Sequence, residues 1–95
     1  MSINTIPTDK EIANISACIS EGWELLPVYL NINEQMDVDG SRVYKIFHIL
    51  QSWRRLKNET MKVLLKALLE AEYTIVVDWE LLRKNIGYGK EVLSL

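Results

Sequence analysis

From residue 41 to residue 72 apolar side chains return at a helical period, and the period breaks once, at Arg54-Arg55-Leu56-Lys57-Asn58-Glu59-Thr60. Before the break Val43, Ile46, Phe47, Leu50 and Trp53 share a stripe, widened by Ile49 and Leu56. After it Met61, Leu64, Leu65, Leu68 and Ala71 form another, with Lys62, Lys66 and Glu70 elsewhere on the cylinder. Stripes of this width belong to helices that bury one face against a core. Ser41 is a good N-cap for the first helix, and Asn58 or Thr60 for the second. The chain must therefore fold around two helices that meet at a positively charged corner.

The flanking segments are shorter. Thr8-Asp9-Lys10-Glu11 has capping-box spacing, so a helix starts there, continues through Ile12, Ile15 and Ile19, and meets a plausible stop at Gly22. Trp23, Leu25, Leu26, Val28, Tyr29 and Leu30 surround Pro27, which predicts a short helix with the proline in its first turn. Residues 33–40 are apolar only at Met36 and Val38 and read as a short helix or turn. Residues 73–77 are rich in β-branched side chains, a strand preference with no second strand to pair. Because Ile75, Trp79, Leu82 and Ile86 recur at helical spacing, the segment reads as the opening of a last helix, with Thr74 as cap and Asp78 as a first-turn acid. Gly87 ends it, leaving 88–95 as a tail. The expectation is an all-α antiparallel bundle of five or six helices, one domain over 1–95 with its core at about 8–87.

Chemistry at a catalytic site needs a nucleophile with its base, or several metal ligands, and the chain has one histidine, His48, and one cysteine, Cys18. Its four glycines are scattered, so no phosphate-cradling loop exists. Asp37-Val-Asp-Gly40 lacks the later oxygen ligands of a calcium loop and reads as a turn. The sequence thus predicts no enzyme, no cofactor and no metal. A lone cysteine closes no internal disulfide and no signal segment opens the chain, which points to a reducing, cytoplasmic setting. Apolar runs are too short for membrane insertion.

Charge is the more informative quantity. Residues 1–48 carry three basic and seven acidic side chains, and residues 49–95 carry eight and six, a polarity that favours self-contact or an oppositely charged partner. A basic corner at Arg54, Arg55 and Lys57, with Lys62 beside it, invites comparison with phosphate binding, but a sequence pI near 5.4 argues against nucleic acid. A small helical nucleic-acid-binding or regulatory protein using residues 54–57 is the second reading.

The order of these segments resembles a death domain. The resemblance is carried by Gly22-Trp23-Glu24-Leu25-Leu26, by Leu30-Asn31-Ile32, by Val43 through Leu50-Gln51-Ser52-Trp53, and by Thr60-Met61-Lys62-Val63-Leu64-Leu65-Lys66-Ala67-Leu68-Leu69-Glu70-Ala71. Pro27 inside the second helix and the short passage Asp39-Gly40-Ser41 depart from that pattern. The Arg-x-Asp-Leu-Leu motif of death-effector domains is absent around Leu81-Leu82, while caspase-recruitment and pyrin domains share the fold and stay open. The resemblance implies a six-helix antiparallel bundle, an adaptor that binds other death-domain proteins, homotypically or heterotypically, in apoptotic or innate-immune signalling, and assembly into higher-order oligomers. Carried onto this chain, it implies a basic contact corner of Arg54, Arg55 and Lys57. Its acidic counterparts are Asp78 and Glu80 at the last helix and Glu34, Asp37 and Asp39 around the third. Trp53 is expected in the core, and Arg54 and Arg55 are expected to face outward.

Overall fold

A computed structural model describes residues 3–33 and 38–93. The two long stripes become α3, Arg42–Lys57, and α4, Met61–Glu70. Ser41 caps α3 as expected, its hydroxyl accepting from the Tyr44 N–H at 3.2 Å. Asn58 closes α3 in the left-handed region, φ 52°, where its short polar side chain lowers the usual strain. Thr60 occupies the N-cap position of α4, but its side chain makes no capping bond. The orphan N–H groups of Met61 and Lys62 donate instead to the carbonyls of Thr5 and Ile3, at 2.9 and 2.8 Å. The segment before the first helix thereby caps the second long one, which no local pattern announces.

α1, Asp9–Ser16, opens on the expected capping box: the Glu11 N–H donates to Thr8 Oγ1 at 3.2 Å and the Thr8 N–H donates to Glu11 Oε1 at 2.9 Å. It stops earlier than Gly22, at Ser16. The buried Ser16 hydroxyl donates back to Ile12 O at 2.8 Å, and Cys18 and Ile19 leave the helix still buried. A 3-10 turn at Trp23–Leu25 then leads into α2, Leu26–Tyr29, with Pro27 in its first turn as expected. α1 packs on α3 and α5, and α2 packs on α4.

Residues 73–77 do not open the last helix. Val77 instead forms an isolated antiparallel bridge with Ile19. Around it Ser20 N–H donates to Val76 O, Val76 N–H to Glu21 O, and Asp78 N–H to Cys18 O, at 2.9, 2.8 and 2.8 Å. The partner that a lone strand lacked is the extended exit of α1, so the β-branched preference wins over the helical period. α5 is therefore shorter, Trp79–Ile86, and Asp78 is its cap, accepting from the Leu81 N–H at 3.1 Å. Thr74 caps nothing; its hydroxyl accepts from the Tyr29 phenol at 3.0 Å.

Gly22 makes this crossing possible. Its φ is +85°, and a Cβ placed there meets the Thr74 carbonyl oxygen at 2.2 Å. Only glycine lets the two backbones approach so closely.

The expected tail is also corrected. Tyr88 is buried, and a 3-10 turn at Lys90–Leu93 lies against α4 with Val92 and Leu93 packed on the core. Lys90 fixes it by an ion pair to Glu72, at 2.9 Å, and by sitting 5.5 Å from the centre of the Trp79 ring. The core, centred on Ile12, Ile15, Leu50, Trp53, Leu64, Leu68, Ile75 and Leu82, runs past residue 87. A radius of gyration of 12.1 Å is that of a single domain of this length. The architecture is all-α, with five α-helices among the described residues. Of the helix or turn expected at 33–40, residues 34–37 lie outside the described residues.

Candidate protein-interaction surface

The corner where α3 ends and α4 begins divides its four basic residues by environment. Trp53, on the buried stripe, is 2% exposed, and Arg54 follows it on the flank nearest the start of α1. Arg54 does not face outward as expected. Its guanidinium donates to the Pro7 carbonyl at 3.0 Å and pairs with the Asp9 carboxylate, so it fastens the amino-terminal segment to the bundle. The sequence reading missed this because Pro7 and Asp9 lie 47 and 45 residues away. The Arg54 hydrogen bond, one from the Gln51 side chain, and the Arg54 charge together hold the Asp9 carboxyl below its ordinary value.

Arg55 and Lys57 are exposed, together with Leu56, which was expected to widen the core stripe and is 49% exposed instead. Lys62 is half-buried, its backbone held by Ile3, and Lys66 is exposed one turn further along α4. A groove of about 200 Å³ opens beside the corner between α2, α3 and α4. Tyr29, Leu30, Trp53, Val63 and Ala67 supply its apolar lining, and Lys57 and Glu59 its charges. An apolar floor and a lip of mixed charge thus lie side by side.

The acidic counterparts are placed unequally. Glu80 is exposed in the first turn of α5, where the helix dipole favours a carboxylate. Asp78 is exposed too, but one oxygen is committed to capping. Asp39 is exposed before α3, and Glu34 and Asp37 lie outside the described residues. The structure brings Asp78 and Glu80 together at one end of α5; it does not bring either into contact with the corner of the same chain.

The remaining polar residues serve packing. His48 is half-buried with Tyr44 edge-on at 4.4 Å and Phe47 at 6.1 Å. The Cys18 thiol is 3% exposed, donates to Asn14 O at 3.3 Å, and is pushed up by burial, with Asn85 opposing and Asp78 adding to the shift. It stays protonated at neutral pH and behaves as a small apolar group. Among the described residues no three His, Cys, Asp or Glu side chains group as a metal ion requires, and no helix is long and apolar enough to cross a membrane.

Sequence reasoning passed over Tyr73. It stands in the turn after α4 with 96% of its surface exposed, the most exposed large hydrophobic side chain among the described residues. The signal was its position after Glu70-Ala71-Glu72, past the last buried residue of the stripe. No protein-family model, curated protein or solved structure matches the chain.

Proposed function

We infer that the chain is a non-enzymatic protein-interaction module, an adaptor domain of the death-domain type. It works in the cytoplasm within apoptotic or innate-immune signalling assemblies and binds other death-domain proteins or copies of itself. The observation that carries this reading is the corner itself: Arg55, Leu56 and Lys57 are exposed at the end of a rigid, well-capped helix and adjoin an apolar groove. Rigid elements present contact residues at low entropic cost, and arginine and apolar groups at a groove are the usual anchors of an interface. The exposed acids Asp78 and Glu80 at α5 supply a surface of opposite sign, so complementary contacts form between molecules rather than within one.

Charge reversal tests the reading. In the double variant Arg55→Glu, Lys57→Glu the circular dichroism stays helical, and light scattering shows association with a death-domain partner or with itself weakened by about tenfold or more. Association that is indifferent to both substitutions, and to added salt, removes the corner from the contact.

A further inference from the structure

Exposed apolar side chains gather where the exit of α1 crosses the segment after α4. Gly22 lies against the backbone of Thr74 and Ile75, the Val76 N–H donates to Glu21 O, and the Tyr29 phenol donates to Thr74 Oγ1. Residues 21–29 and 73–76 are thereby joined into one surface. Leu25 and Val28 stand on one side of the seam, Tyr73 and Val76 on the other, and Val28, Tyr73 and Val76 each expose more than half of their surface. The backbone beneath them is fixed: Leu26, Leu30, Ala71 and Ile75 are buried, and the Thr74 and Ile75 N–H groups both donate to Ala71 O at 2.8 Å. Single exposed apolar residues need no explanation, whereas a cluster rimmed by charge marks a contact.

That rim has one sign. Residues 19–32 and 69–77 contain Glu21, Glu24, Glu70 and Glu72, all exposed, and no lysine or arginine. One cation reaches in from outside, since Lys90 pairs with Glu72 at 2.9 Å and lies 5.5 Å from the centre of the Trp79 ring. It shows what suits this end of the molecule, an ammonium between a carboxylate and an aromatic face. Glu70 and Tyr73, three residues apart, offer the same two groups, and Glu21, Glu24 and Glu70 hold no salt bridge among the described residues. Beyond Tyr29 the acidic field ends, because the groove there carries one charge of each sign, Lys57 and Glu59.

We propose that this surface docks a basic amphipathic segment of a partner protein. Its apolar side chains cover Leu25, Val28, Tyr73 and Val76 while its lysines or arginines meet Glu21, Glu24 and Glu70. The one-signed rim selects a cationic occupant and repels anionic membranes and nucleic acid. Because the backbone is already fixed, little of this chain is ordered on binding. The contact goes beyond the adaptor reading: it uses neither Arg55 nor Lys57, and its partner is a short segment.

Heteronuclear NMR of the full chain, titrated with a short peptide of leucine and lysine at amphipathic helical spacing, tests it. Amide shifts are expected to concentrate at residues 21–29 and 70–76. The triple variant Glu21→Gln, Glu24→Gln, Glu70→Gln and the single variant Tyr73→Ala alter only exposed side chains, so circular dichroism stays as in wild type. Each is expected to weaken the peptide by about tenfold in dissociation constant. Arg55→Glu, Lys57→Glu is expected to leave this affinity unchanged, so loss of corner contacts in that variant bears on the adaptor reading alone. A peptide of the same composition in scrambled order binds more weakly by about tenfold or more. Absence of binding, shifts centred on the corner between α3 and α4, or equal affinity for the scrambled peptide overturns the proposal. So does an affinity indifferent to Tyr73→Ala. Shifts at these residues that follow the protein's own concentration without peptide make a second copy the occupant, which also overturns it.

Discussion

Gly22→Ala isolates the contact on which the small end of the bundle depends. Two costs add at this position. Holding an L-residue at φ +85° costs about 1–2 kcal/mol of backbone strain. The new methyl must also displace the Thr74 carbonyl oxygen, which stands 2.2 Å from the Cβ position and belongs to backbone that cannot rotate away. Moving it pulls residues 74–78 from residues 18–22. Losing two of the three backbone hydrogen bonds there costs a further ~2–3 kcal/mol at about 1–1.5 kcal/mol each. The sum is about 3–5 kcal/mol, a large share of a total of about 5–15 kcal/mol. Gly87→Ala is the matched control: its φ is +89°, yet nothing lies within 4 Å of its Cβ, so it carries strain alone. Urea denaturation followed by circular dichroism measures both variants. Gly22→Ala is expected to lose about 2–3 kcal/mol more than Gly87→Ala, the hydrogen-bond term alone. Equal losses refute the close-approach argument and leave only conformational strain.

Trp53→Ala empties the floor beneath the corner and is expected to cost about 3–5 kcal/mol, visible as a collapsed melting temperature or a chain that fails to fold. Arg54→Ala and Arg55→Ala separate the two arginines: the first loosens the amino-terminal segment and lowers the denaturation midpoint, while the second leaves it within about 0.5 kcal/mol. Equal effects contradict the different environments assigned to them. Asp9 supplies a pH signature. Its folded pKa lies below the ordinary 3.8, so its contribution is fully present above that value and fades as pH falls through the folded one. Asp9→Asn is expected to flatten the acid limb of stability against pH below 3.8, and an unchanged limb argues against the Arg54 pairing.

What was legible in the sequence is what local chemistry decides. The capping box at Thr8 and Glu11, the Ser41 cap, the burial of Trp53 and the proline in the first turn of α2 all follow from neighbours within four residues. The errors share a cause in contacts across the chain. Residues 73–77 were misread because their bridging partner lies at Ile19, and α4 takes its caps from Ile3 and Thr5 rather than from Thr60. Arg54 looked like surface because its acceptors sit at the other end of the sequence. The basic corner survives in reduced form. Arg55 and Lys57 remain, Arg54 belongs to the fold, and the groove beside them needed three helices in place before it existed.

The central claim is that this surface binds protein. Size-exclusion chromatography with light scattering, on the folded chain alone and mixed with death-domain proteins, tests it most directly. The account expects masses above the 11.0 kDa of one chain, falling back toward that value as salt rises. A chain that elutes at 11.0 kDa in every mixture and at every concentration contradicts it.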